Sequence, residues 1–313
     1  MKLKLLAKRI GWRLLAGVGV MWGAATFAFI TLHATAGDIA LATVSGNGSD
    51  PTQALLQEVR RDYGLNLPLW RQYADYLGKL LHGNLGQSYQ QRIPVATAIG
   101  QQLGSTLELA VGAAVVAVVL AITTSVLTAR RGRWLRSVTN GTQLVLASMP
   151  TFVVGLVLLI VFGLKLDVLP VSGNQGFGSV VLPSLTLAIP IAAVLSQVLT
   201  SELEDVLEQP FILTARARGM RETAVRLRHA LRHAAIQLVT MSGYVLGGLL
   251  GGAVITESLF NRQGLGQLML TATTNKDVPL VSGVILFAAF AYVVVNLIVD
   301  IVYTLVDPRV VTR

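Results

Sequence analysis

Six stretches of the chain are almost uninterrupted apolar sequence: residues 14–32, 109–127, 144–164, 180–199, 236–255 and 278–299. Each is close to the roughly 20 residues a helix needs to cross a bilayer, so the pattern predicts an all-α polytopic membrane protein with six transmembrane helices. Pro183 and Pro190 interrupt the fourth run and predict a kinked span whose freed carbonyls are satisfied by neighbours. The first run follows Lys2, Lys4, Lys8 and Arg9 and precedes Ala34-Thr35-Ala36, the arrangement of a cleavable signal. Its apolar core is longer than such signals carry, which predicts an anchored helix instead.

The segment between the first two runs is the long one. Residues 37–51 are rich in Gly, Ser and Asp and read as loop, whereas Leu55, Leu56 and Val59, then Leu69, Tyr73, Tyr76, Leu77 and Leu80, recur at helical spacing on either side of Pro68. Two short amphipathic helices at the membrane surface are expected. Trp70, Tyr73 and Tyr76 read as an aromatic anchor in the interface, with contact to an external partner as the alternative.

Composition agrees with a membrane protein: 53% of the 313 residues are hydrophobic and 13% charged, against roughly a quarter charged in soluble domains. The net charge of +9 suggests nucleic acid only until the charges are placed. With a cytoplasmic N-terminus, 17 of the 25 lysines and arginines fall in cytoplasmic segments and 8 on the other side. Five of those 8 lie in the long first loop, where the positive-inside rule hardly applies. Both termini are therefore expected in the cytoplasm, and the partner of the charge is the bilayer, not nucleic acid.

The chemistry expected of an enzyme is missing. The chain has no Cys, and its one Gly-Lys pair, Gly78-Lys79, lacks the upstream glycine of a phosphate-cradling loop. Ser172, Ser242 and Ser282 each precede a Gly, but none stands in Gly-x-Ser-x-Gly. His229 and His233 have the i, i+4 spacing of a zinc site, yet Arg226, Arg228 and Arg232 crowd the same segment with positive charge. Ionisable residues at the spans are Glu108 and Glu257 near the ends and Asp300 deeper, with Asn296 and Tyr303 on its face. A single carboxylate makes a thin ion relay, and a helix–helix hydrogen bond is the plainer reading.

Residues 208–232 remain. They carry Arg216, Arg218, Arg221, Arg226, Arg228 and Arg232, which hydrocarbon would not accept unpaired. Leu203, Val206 and Leu207 form an apolar face before them, and Pro210 restarts the chain. Residues 211–218 are expected to form a short helix ended by Gly219 in the left-handed conformation, followed by a second helix from Arg221 with Ala224, Leu227 and Leu231 on one side. Two readings stand: a rigid docking elbow, or a basic internal loop.

Thr214-Ala215-Arg216-Ala217-Arg218-Gly219-Met220 and His229-Ala230-Leu231-Arg232 are similar to the cytoplasmic coupling segment of ABC import permeases of the dipeptide/oligopeptide/nickel family. The resemblance covers nearly the whole chain. It includes Tyr63-Gly64-Leu65-Asn66-Leu67-Pro68, His82-Gly83-Asn84-Leu85-Gly86, Ser148-Met149-Pro150-Thr151-Phe152, Leu182-Pro183-Ser184, Thr256-Glu257-Ser258 and Asp307-Pro308-Arg309.

The resemblance implies a multi-pass subunit of the bacterial inner membrane that imports peptides, nickel or metal-chelate-like small solutes. Its partners would be a second, homologous permease, two cytoplasmic ATPases that hold ATP and Mg²⁺, and an external solute-binding protein. This chain itself would bind no cofactor and catalyse nothing. ATPase coupling falls to Thr214, Ala215, Arg216, Ala217, Arg218, Gly219, Met220 and Arg221, and the translocation path to Ser148, Pro150, Phe152, Pro183, Asn296 and Asp300. The implied organisation is a cytoplasmic N-terminus and first span (1–36), an external loop (37–103), a five-helix core (104–305) with coupling segment 201–235, and a cytoplasmic tail (306–313). The chain departs from the family at Ala36-Gly37-Asp38-Ile39 and at Gln197, Thr200, His233 and Gln237. A short stretch between Gly173 and Leu182 leans towards small or metal-chelate substrates. The competing class is an ion-coupled secondary transporter working without ATPases, which requires charges near the midplane where only Asp300 offers itself.

Overall fold

The computed structural model describes residues 2–35, 52–62 and 66–306. The expected loop at 37–51, the Ala36-Gly37-Asp38-Ile39 departure, Tyr63, Gly64 and Leu65, the tail from Asp307, and the side chains of Asp300 and Tyr303 lie outside the described residues. Among the described residues the regular elements are helices, with one isolated bridge between Gln87 and Pro94. They are α1 (Lys2–Thr35), α2 (Gln53–Asp62), α3 (Leu69–Leu81), α4 (Val95–Thr128), α5 (Arg133–Ser148), α6 (Thr151–Leu158, continued as a π-helix over Leu159–Lys165), α7 (Gly178–Val206) and α8 (Pro210–Ala217). Then α9 (Glu222–Ala224) runs through a π-helical turn, Val225–Ala230, into α10 (Leu231–Thr240), followed by α11 (Ser242–Leu259), α12 (Leu265–Thr274) and α13 (Val278–Val306).

Four helices are long and apolar enough to cross a membrane: Gly11–Thr31 within α1, α4, α7, and Val278–Val299 within α13. The α5–α6 pair adds a fifth crossing only as two segments bent by 105°. Residues 144–164, expected as one span, contain this bend. Its cause is Pro150, which has no amide to donate and pushes the preceding Met149 out of helical geometry to φ −74°, ψ 131°. Pro183 and Pro190, which predicted a kinked span, both lie inside α7, a single helix from Gly178 to Val206. Residues 236–255 are divided at Met241 between α10 and α11.

Contacts divide the chain into two units. The first comprises Met1–Gly104 and Gly264–Val295. Its core joins Val95, Ala98 and Ile99 at the start of α4 to Leu268 and Ala272 of α12 and Leu280 and Val284 of α13. Gly283 allows the approach, because a Cβ there would stand 2.2 Å from Val95 Cγ1. The buried Asp277 carboxylate closes this core: it accepts from the Ser88 hydroxyl, from the amides of Tyr89 and Gln90 at 3.2 Å, and from Leu280 N at the start of α13. Helix α3 lies along α1, with Tyr73 Oη 2.7 Å from Thr26 Oγ1 and the Phe29 ring 5.1 Å from Tyr73 and 5.7 Å from Tyr76. Tyr73 and Tyr76 therefore pack within the protein, and of the expected aromatic anchor only Trp70 faces outward, 67% exposed.

The second unit comprises Ser105–Gln263 and Asn296–Arg313 and is built around α7. Ala113, Ala117 and Ala121 form a small-residue stripe on α4, and Leu187, Ala188, Ile191, Ala192 and Leu195 of α7 bury against it. Further along the same pair a hydroxyl ladder takes over: Thr124 Oγ1 lies 2.7 Å from Ser196 Oγ, Ser125 Oγ donates to Ser196 O at 3.1 Å, and Thr200 Oγ1 donates to Ser125 Oγ at 3.0 Å. Thr200, one of the departures from the family pattern, is thus a buried rung, while Gln197 is exposed.

Candidate functional site

The elbow at 201–235 grows from the end of α7. Leu199, Leu203 and Leu207 are buried there against Val126 and Ala129 from the end of α4, Ile212 and Ala215 of α8, and Val225, Ala230 and Ala234. Gln209 adopts an extended conformation and Pro210 takes the first helical position, where its missing amide leaves no bond unmade. The helix stops in two linked bonds, Gly219 N to Arg216 O at 2.9 Å and Met220 N to Ala215 O at 3.4 Å, with Gly219 at φ 77°. This is the left-handed C-terminal motif that glycine admits without a Cβ penalty, as expected at that position.

The following helix differs from expectation. Its buried residues are Val225, Arg226 and Ala230, while Leu227 is 48% exposed and Ala224 only partly buried. The reason is the π-helical turn Val225–Ala230, whose i to i+5 spacing moves the inward face by one position relative to an α-helical count.

Charge fixes the elbow internally. Arg216 grips Glu222 with two bonds, Nε at 3.1 Å and Nη2 at 2.9 Å. Arg226 Nε lies 3.6 Å from the same carboxylate, and Arg226 Nη1 donates to the Val126 carbonyl at 2.9 Å. The hydrogen bonds from Arg216 hold the Glu222 carboxyl below the usual carboxylate range, helped by the charges of Arg216 and Arg226 and opposed by burial. Arg136 pairs with Glu204 at 2.5 Å and Arg130 pairs with Glu208, fastening the α4–α5 turn to the end of α7. His233, another departure from the family pattern, packs its ring 5.1 Å from Phe211 and so ties α10 to the start of α8.

What the elbow leaves outside is an apolar and basic surface. Phe211 is 41% and Leu213 62% exposed, and Thr214, Ala217, Arg218, Gly219 and Arg221 are exposed beside them. Ala215 is buried, and Arg216 and Met220 are half-buried. Exposed apolar side chains on a short helix held rigid from within have the character of a contact surface.

Residues 117–312 match the family described as binding-protein-dependent transport system inner membrane component. The chain belongs to this family. It is 33% identical over 299 residues to the glutathione transport system permease protein GsiC of Escherichia coli strain K12, covering 95% of this chain and 97% of that protein. It is 32% identical over 307 residues to the probable peptide ABC transporter permease protein y4tP of Sinorhizobium fredii, with the same coverage. The chain is thus an ABC importer permease of the peptide/oligopeptide group and a protein of the bacterial inner membrane.

The residues expected along the permease's translocation path differ in burial. Ser148, Pro150 and Phe152 sit together at the α5–α6 bend, exposed, whereas Pro183 is buried within α7 and Asn296 is partly buried in α13. Glu108, Glu257 and Arg262 are also engaged, in contacts that join α4 to residues 257–262. Arg262 is fully buried with its Nη2 2.6 Å from Glu108 Oε2. Glu257 is fully buried as well and accepts from Thr106 Oγ1 at 2.7 Å. Glu108 and Arg262 stand far apart in sequence, and nothing local to either announces the pair.

Proposed function

We propose that this permease forms half of a translocation path completed by a second, homologous permease, and that α8 docks into a cytoplasmic ATPase. The observation that carries the docking reading is the exposed face of α8, Phe211 and Leu213 beside Arg218 and Arg221, on a helix braced by Gly219, the Arg216–Glu222 pair and the buried Arg226. A brace of this kind transmits displacement instead of absorbing it. ATP and Mg²⁺ belong to the ATPase partners, and an external solute-binding protein delivers the substrate. The arrangement proposed has six spans, with α5–α6 and α10–α11 supplying the two broken ones, and both termini in the cytoplasm.

The substrate proposed is a short peptide or a glutathione-like solute, because the relatives named for glutathione and peptide transport align over 97% of their length. None of these names speaks for nickel or metal chelates. An ion-coupled mechanism without ATPases is not favoured, since the family is that of binding-protein-dependent transport. Co-expression with the ATPases encoded beside the gene tests the proposal. Co-purification that is lost on Leu213→Asp supports docking through α8, and solute uptake by this chain alone in ATP-free vesicles would overturn it.

A further inference from the structure

A cavity of about 190 Å³ opens within the unit formed by residues 1–104 and 264–295. It straddles the polar boundary of the membrane-crossing stretches. Ala28 and Phe29 stand in the last turn of the first such stretch, and Gly283 and Leu286 in the opening turns of the last, and together they give it an apolar floor. Its mouth is polar and comes mainly from α3, where Gln72, Asp75, Tyr76 and Lys79 recur at i, i+3, i+4 and i+7 and so share one face.

Three features define what fits. Asp75 and Lys79 place a carboxylate and an ammonium one helical turn apart, both exposed at the mouth, and among the described residues neither side chain has an ion-pair partner. Opposite charges held side by side and left unpaired match a zwitterion. The Tyr76 hydroxyl is enclosed in the wall without a hydrogen-bond partner among the described residues, and burial pushes its pKa up to about 12, so it remains a proton donor. Finally, the cavity is smaller than the roughly 300 Å³ at which pockets for drug-sized ligands begin, which suits a headgroup-sized zwitterion.

We propose that this cavity seats the headgroup of a zwitterionic, primary-amine phospholipid, with phosphate at Lys79, ammonium at Asp75, and the start of the acyl chains over the apolar floor. The site is separate from the elbow and independent of what the permease carries.

Native mass spectrometry of the full-length protein in detergent, with phosphatidylethanolamine and phosphatidylglycerol added in equal amounts, tests it. Phosphatidylethanolamine is expected to be retained about 5-fold over phosphatidylglycerol, Asp75→Asn to remove that preference, and Lys79→Gln to lower retention of both lipids by about the same factor, the size of one exposed charge contact. Tyr76→Phe, which deletes only a hydroxyl, is expected to lower retention of both lipids. Equal retention of the two lipids overturns the proposal, as does unchanged retention in both charge variants. Competition by the chain-free headgroup glycerophosphoethanolamine, or by glycylglycine, at concentrations equal to the lipid would show a solute site and overturn the lipid assignment.

Discussion

Arg226 donates to the Val126 carbonyl across 2.9 Å, joining the exit of the elbow to the end of a membrane-spanning helix. Val126 is among the last residues of α4, whose terminal carbonyls have no partner within the helix. A buried guanidinium therefore acts as a C-terminal cap supplied from elsewhere in the chain, with its charge at the favourable end of the helix dipole.

Removing that cap should be felt as stability. Arg226→Met is expected to cost about 1–3 kcal/mol, the range for a hydrogen bond to a charged group. Thermal unfolding of the purified protein in detergent reads the change as a lowered midpoint. An unshifted midpoint would show that Val126 is satisfied by water.

Gly219 makes a cleaner test of the elbow, because a Cβ there would meet nothing within 4 Å and only its φ of 77° penalises a side chain. Gly219→Val is expected to cost about 1–2 kcal/mol locally and Gly219→Asn much less. ATP-driven uptake should follow the order Gly, Asn, Ala, Val. Wild-type uptake in the Val variant would mean that the turn carries no force.

The Arg216–Glu222 pair has a defined pH signature. Because the folded-state pKa of Glu222 is lowered, its stabilisation is present above the ordinary carboxylate value of 4.5 and lost as pH falls through the lower folded value. Arg216 is 32% and Glu222 46% exposed, so solvent screening limits the effect to under about 1 kcal/mol. The stability gap between wild type and Arg216→Gln should be open at pH 7 and close in acid. A gap that persists at pH 2 would assign the effect to packing instead.

Glu108 and Arg262 should respond unequally to removal. Glu108→Gln leaves a fully buried cation without its counter-charge and is expected to cost about 3–5 kcal/mol. Arg262→Met leaves a carboxylate that is 55% exposed and can hydrate, so it should cost less. Chemical or thermal unfolding of the two variants decides the order. The reverse order would place the weight on the packing of the arginine.

Much of this arrangement is legible from pattern alone. Apolar runs locate α1, α4, α7 and α13, and Pro210 and Gly219 bracket α8, because each signal is local. Which proline breaks a helix is not local. Pro150 turns the chain by 105° while Pro183 and Pro190 pass inside α7, although all three present the same local signal. The inward face after Arg221 was shifted by a π-helical turn, which a period of 3.6 residues does not anticipate. The pairings of Arg226 with Val126 and of Arg262 with Glu108 join positions far apart in sequence and need the fold to be seen.

The hydroxyl ladder between α4 and α7 has a mechanical consequence. Its rungs are Thr124 against Ser196 and Ser125 against Thr200, about one helical turn apart on α7, while the Thr128 hydroxyl turns back to the Thr124 carbonyl. Hydroxyls both give and take, and the Thr124–Ser196 bond reads equally well in either direction. The two helices are thereby held together by uncharged polar groups, so parting them would strand hydroxyls in the membrane and no charge.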